Sequence, residues 1–245
     1  MSLDDRIQAY LRATLPADRE LVELDGLTAS FHPRDPLRYR NWALPGPPPW
    51  DLDGLVDAAR ARRRVPRLEF VESCAPGLPE ALEQAGFTRE ARLDLMTCTP
   101  PAHVTLPPPP GVGLEVLAPD APRETVRTML AAQRAAFADA GEPDEDDVAR
   151  YAEVGVLARV DGRVVGGGVL ASPRDGLCEL AGIGVLEAHR RRGIAGAVTS
   201  ALAREAFARG VEIAFLTPGD ADTRRVYERA GFAATSAVLA YAAGP

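Results

Sequence analysis

The chain has 245 residues, 46% of them hydrophobic, which is enough for one large domain or two ordinary ones and too apolar for a globally disordered protein. Its formal charge of −7 excludes a broad nucleic-acid footprint, because such binding draws on many phosphate contacts from a basic face. All 28 basic residues are arginine, so no lysine amine exists for Schiff-base chemistry, and the three cysteines and three histidines are too scattered for a disulfide framework or a metal cluster.

The N-terminal MSLDDRIQAYLRATL has neither a basic start nor an unbroken apolar core. No run approaches the roughly 20 apolar residues that span a bilayer, so no membrane association is expected and a soluble, cytoplasmic protein is. A helix is expected from Asp51 to Arg64. Strand, loop, helix and a further strand follow through VPRLEFVESCAPGLPEALEQAGF, Val65 to Phe87. From Thr99 to Gly113 the chain is proline-rich, with Pro107 to Pro110 consecutive, and this reads as an extended linker without ladder or helix bonds. Domains are therefore expected at 1–100 and 113–245, joined by 101–112.

Beyond the linker the pattern gives a strand at Leu114 to Leu117, a helix from about Ala121 to Ala138, and a second helix after the acidic EPDEDD running to about Val154. Strands Val156 to Val160 and Arg163 to Ala171 flank the Asp161-Gly162 turn, a hairpin signal. The run Gly166 to Gly168 weakens the second of these strands and points to close backbone approach or a bulge. A strand over Leu177 to Leu186, a helix from Gly193 to Arg209, a strand Glu212 to Leu216, a helix Asp222 to Arg229 and a strand Phe232 to Tyr241 complete the half. The expected fold class is α+β.

The first half echoes the end of the second. Val65 to Phe87 parallels VEIAFLTPGDADTRRVYERAGF, Val211 to Phe232, each closing on Ala-Gly-Phe, and helix Asp51 to Arg64 occupies the slot of helix Gly193 to Arg209. Leu82 stands where the second half has Tyr227, and nothing upstream matches the basic, glycine-containing HRRRGIAGAV at His189 to Val198. The first half reads as a scaffold that has lost a site.

That basic loop could serve phosphate in three ways. A P-loop needs a Gly-Lys-Ser/Thr ending that is absent, and a dinucleotide fingerprint needs a glycine spacing that is not met. What remains is a strand ending in Arg190-x-x-Gly193-x-Ala195 and passing straight into a helix. There the free N–H groups of the first turn, the helix dipole and nearby guanidinium groups converge on an anion.

Val185-Leu-Glu-Ala-His-Arg190-Arg-Arg-Gly193-Ile-Ala195-Gly196 resembles the acetyl-coenzyme A binding motif of the GCN5-related N-acetyltransferases (GNAT), and Asp220-Ala-Asp-Thr-Arg-Arg-Val-Tyr227-Glu-Arg-Ala-Gly231-Phe232 resembles their second motif, in the family's order. The resemblance implies tandem GNAT-like domains, each a mixed, mostly antiparallel sheet with helices on both faces, with a splayed parallel strand pair in the C-terminal one. It implies acetyl-CoA as cosubstrate, held by Ile183, Val185, Arg190, Arg191, Arg192, Gly193, Ile194, Ala195, Gly196 and Asp220. It implies direct attack of a primary amine on the thioester, with Tyr227 as acid toward the leaving thiolate. Glu179 is the candidate base: it lies six positions before Val185, a spacing that resembles that of the base glutamate in the family's histone-acetylating branch, and the even separation puts the two on one strand face unless a bulge intervenes. Asp220 replaces the usual Asn and brings negative charge toward the coenzyme.

The acidic stretch with Asp139, Glu142, Asp144, Glu145, Asp146 and Asp147 reads either as an attractor for a cationic acceptor or as a solvated helix start. A non-catalytic acyl-CoA sensor is the alternative to an enzyme. A transfer-RNA-dependent tandem enzyme fits less well, since it calls for an eroded coenzyme motif and a basic surface. The acceptor stays open, as does a homodimer.

Overall fold

The computed structural model describes residues 1–16, 19–37, 40–137, 141–143, 145–151 and 154–244, the side chains of 146 and 150 excepted. In chain order the elements are α1 (Leu3–Ala13), β1 (Glu20–Leu24), β2 (Leu27–Phe31), β3 (Trp42–Pro45), α2 (Leu52–Ala61), β4 (Arg67–Val71), α3 (Leu78–Gln84) and β5 (Phe87–Cys98). Then come β6 (Val112–Leu117), α4 (Arg123–Ala136), α5 (Glu145–Arg150), β7 (Val154–Val160), β8 (Arg163–Leu170), β9 (Leu177–Val185), α6 (Ile194–Ala208), β10 (Ile213–Leu216), α7 (Ala221–Arg229) and β11 (Ala233–Ala243). They form two compact units, Met1–Leu95 with Ala234–Pro245, and Met96–Ala233.

In the first unit β1, β2 and β3 are antiparallel neighbours, β3 and β4 run parallel, and β4 pairs antiparallel with β11 from Val238↔Val71 to Ala242↔Arg67. The sequence reading grouped β11 with 113–245. Its pairing joins it instead to the first unit, because Leu239 and Tyr241 bury beside Phe70, Leu55, Leu78 and Leu82. Helix α1, which the sequence reading left unassigned, begins with a reciprocal cap between Ser2 and Asp5, and its Gln8 accepts a hydrogen bond from the Val71 amide at 2.9 Å.

In the second unit β6, β7, β8 and β9 form an antiparallel run. β9 then pairs parallel with β10, which is antiparallel to the end of β5. Helix α4 covers one face and α6 the other: the Cβ direction of Gly167 meets Met129 of α4, and that of Gly168 meets Leu202 of α6. Ten of the fifteen residues of α6 are buried, including the fully enclosed Val198 and Leu202, and Gly196, Ala197, Thr199, Ser200, Ala201 and Ala203 let neighbouring backbone come close.

One of those neighbours is the expected linker, which is no free tether. The Val104 amide donates to Ala230 O at 3.1 Å, and the Leu106 amide donates to Ser200 Oγ at 2.9 Å. Ser200 Oγ in turn donates to Val104 O at 3.0 Å, while His103 Nε2 sits 3.1 Å from Ser200 Oγ. Pro109 and Leu106 lie beside Gly193 and Gly196. A proline-rich segment has few donors of its own, so one buried serine serves both a donor and an acceptor of this strap. Ser200→Ala orphans both groups and is expected to cost about 1–3 kcal/mol, measured by chemical denaturation.

Candidate functional site

The parallel pair β9 and β10 is in register only from Ile213↔Leu177 to Phe215↔Glu179. Beyond Glu179 the strands part, and a cleft of about 1090 Å³ opens between them, lined from β9 by Glu179 to Val185 and from the other side by Thr217, Gly219, Asp220 and Tyr227. The splayed pair expected from the sequence is present.

A bulge sets the chemistry of the β9 wall. Its register against β8 slips between Gly167 and Val169, so that Gly182 and Ile183 together oppose Gly168. Gly182 takes φ +60°, a backbone state that favours glycine. Before the slip, Cys178 and Leu180 pack in the core under α6, while Ala181 packs with Leu157 and Met129 on the α4 side. After it, Ile183 and Val185 return to the α6 side, and Gly184 turns toward Ala136 and Phe137. Glu179 therefore lies on the face opposite Val185, which corrects the expectation that they share one. The Leu186 amide donates to Val165 O at 2.8 Å, so the backbone N–H of Val185 faces the opposite way, into the gap left by β10.

The floor of the cleft is the start of α6. Arg191 (φ +63°) and Gly193 (φ +85°) are both left-handed, and this folds the chain into a concave turn immediately before the helix. Only at Ala197, which donates to Gly193 O at 3.1 Å, does the helical ladder begin. The amides of Ile194, Ala195 and Gly196 find no acceptor among the described residues, and all three residues line the cleft. At Gly196 a Cβ would stand 3.2 Å from Leu106 Cδ1, a tight contact that the leucine would have to relieve by shifting.

The arginines divide their labour in a way their adjacency hides. Arg190, expected to bind coenzyme, donates from Nε to Val185 O at 3.0 Å and from Nη2 to Ala136 O at 2.8 Å, which ties the end of β9 to the last turn of α4. Arg192, expected in the same role, approaches His189 Nδ1 at 3.2 Å and is absent from the cleft wall. Arg191 is highly exposed and, among the described residues, held only by a long contact to Asp222 at 3.6 Å, so its charge can turn toward an anion.

Asp220 caps α7, its Oδ1 accepting from the Thr223 amide at 2.7 Å, and that bond holds its carboxyl below the usual range. Tyr227 follows on the same helix with its ring buried near Phe232. Burial pushes its phenol up to about 12, and the charge of Asp220 adds to the shift. The group stays protonated throughout the neutral range, so in proton transfer it can serve there as an acid and not as a base.

Two carboxylates of the acidic stretch, those of Glu145 and Asp147, are paired with arginines. Arg134 pairs with Asp147 and donates to Glu142 O, while Arg127 pairs with Glu145. Asp139, Asp144 and the side chain of Asp146 lie outside the described residues.

The matching helix start in the first unit has no such cradle. At α2 the Asp51 carboxylate accepts from the Gly54 amide at 2.8 Å, and the Leu52 amide donates to Trp50 O at 3.0 Å. A negative group of the chain itself thus occupies the place where an anion would sit.

Residues 123–232 match the model of a family described as Acetyltransferase (GNAT) family. A solved structure described as a GCN5-related N-acetyltransferase from Kribbella flavida is 28% identical, covering 100% of this chain and 97% of its own, with a TM-score of 0.80. Another of that description, from Sphaerobacter thermophilus, is 16% identical over 89% of this chain and 76% of its own, with a TM-score of 0.62. A tandem GNAT protein from the clavulanic acid biosynthesis pathway is 15% identical over 100% of this chain and 89% of its own, also at 0.62. No curated protein matches the chain. The α+β, GNAT-like fold class expected from the sequence agrees with these likenesses.

Proposed function

We propose, from a C-terminal half that is a GNAT domain, that this protein is an acetyl-CoA-dependent N-acetyltransferase acting on a primary amine by direct attack in a ternary complex. The observation that carries the reading is the open cradle of Ile194, Ala195 and Gly196 amides at the foot of a cleft that also holds a protonated phenol. Acetyl-CoA, when bound, supplies the activated acyl group.

The residues present fit that cosubstrate. The three amides and the positive end of α6 suit a pyrophosphate, and Arg191 adds a mobile positive charge. The Val185 N–H, aimed into the gap, suits the extended arm and the carbonyl whose oxygen gains charge during attack. Tyr227 delivers its proton to the departing sulfur from the α6 side of the sheet. Glu179 takes the proton of the incoming ammonium from the α4 side, so acid and base approach from opposite faces and do not neutralise each other. The first unit, its helix start closed by Asp51, acts as scaffold and binds no coenzyme.

Isothermal titration with acetyl-CoA tests the reading, the expected result being one site per chain. Absence of binding at millimolar concentration overturns it. Binding without thiol release across a broad amine panel replaces the enzyme with an acyl-CoA sensor.

A further inference from the structure

The bulge of β9 is held from outside the strand. Gln133 of α4 is more than nine-tenths buried, and its Nε2 donates to Gly182 O at 2.9 Å. A carbonyl only accepts, so the amide nitrogen must be the end facing it. A Cβ on Gly182 would come within 2.7 Å of that same nitrogen, so the carboxamide also fills the space over the bulge. One turn further along the helix, Ala136 O receives Arg190 Nη2, whose Nε holds Val185 O. The segment 182–185 is thus pinned to α4 at both ends, and it is the segment whose alternation is out of step with the rest of β9.

We infer that Gln133 is a positioning residue for the proposed acetyl transfer: its carboxamide locks the β9 bulge at Gly182 and so keeps the Ile183–Val185 backbone turned into the coenzyme cleft. The inference rests on the acetyltransferase reading. An isolated bulge costs a strand one ladder position and is free to migrate or anneal, and annealing by one residue would reverse the facing of every group beyond it. A regular ladder across Gly182 would turn the Val185 N–H away from the gap and bring Ile183 to the α4 face. Gln133 never touches the reacting atoms. Its effect reaches them through Gly182.

The test compares Gln133→Met, of similar length and without the donor, with Gly182→Ala and with the double variant. Acetyl-CoA affinity is read by titration, turnover by thiol release with whichever amine the panel identifies, and local order by hydrogen exchange of peptides spanning residues 177–186. The phosphate cradle lies on α6, so coenzyme affinity should change by less than about fivefold in Gln133→Met. kcat should fall on the order of 10²-fold, the scale of an ångström-sized misplacement. Exchange across 182–186 should rise without a matching rise in α6. The double variant should lose little more than the worse single one, because both act on one bulge.

Additive losses in the double variant, or unchanged exchange at 182–186 in Gln133→Met, overturn the inference even if stability falls. Should Gln133→Met not fold, the exchange and kcat of Gly182→Ala decide: protection and turnover at the level of the unaltered protein would overturn it. If the unaltered protein fails to bind acetyl-CoA, the acetyltransferase reading fails. The role of Gln133 in holding the bulge is still decided by the exchange measurement, which needs no ligand.

Discussion

Tyr227→Phe is expected to lower kcat on the order of 10²- to 10⁴-fold while changing acetyl-CoA affinity by less than about threefold. The ring stays in place beside Phe232, and only the hydroxyl is lost. A phenol raised from 10.0 to about 12 holds its proton wherever the protein works, so what the variant removes is a donor. The sign of the shift gives a second readout. Below pH 10 both folded and unfolded chains keep the proton; between pH 10 and about 12 the unfolded chain sheds it first. The stability associated with the buried phenol is therefore complete below pH 10 and lost as pH rises through about 12. Denaturation curves across that window should fall for the unaltered protein and be flatter for Tyr227→Phe. A variant with unaltered kcat, or one whose whole defect lies in coenzyme affinity, would remove Tyr227 as the acid.

Removing residues 234–245 is expected to prevent the first unit from folding, although every other residue of that unit precedes position 96. Without β11, β4 loses its antiparallel partner from Val71 to Arg67. Phe70 loses the stacked ring of Tyr241, 6.4 Å away, and the core loses Leu239. Burying each such side chain contributes about 1.5–3 kcal/mol, and the vacated space adds to the loss, so the total approaches the roughly 5–15 kcal/mol that holds a domain together. Limited proteolysis should cut the truncated chain throughout 1–95 while sparing α6. A truncated protein that resists protease in α2 and α3 would contradict the pairing described for β4. Tyr241→Ala is the milder form, with a loss of about 3–5 kcal/mol by denaturation.

What the sequence made legible is what local spacing encodes. The turn into α6 was readable because Gly193 and Ala195 must stay small for backbone reasons, and Tyr227 was readable from its place in the second motif. Three features were not. The bulge at Gly182 has no spacing signal, since an inserted residue looks like any other until its partner strand is known, and a parity argument for Glu179 and Val185 failed on it. The split among Arg190, Arg191 and Arg192 was hidden because charge alone does not say which carbonyls a guanidinium will find. Arg190 met two of them, on β9 and α4. Gln133 passed unnoticed as one polar residue on an otherwise ordinary helix face. Its periodicity, falling with the buried Met129 and Ala136, was the available hint that it points inward.

The pairing of β11 with β4 has a consequence in time. A chain leaves the ribosome from its first residue to its last, at about 5–20 residues per second, and an N-terminal domain ordinarily matures first. Here residues 96–233 can complete their own core while the earlier-born segment still lacks a strand. The half made first finishes last, and a stalled or prematurely released nascent chain would expose β4 along the edge that β11 is meant to cover.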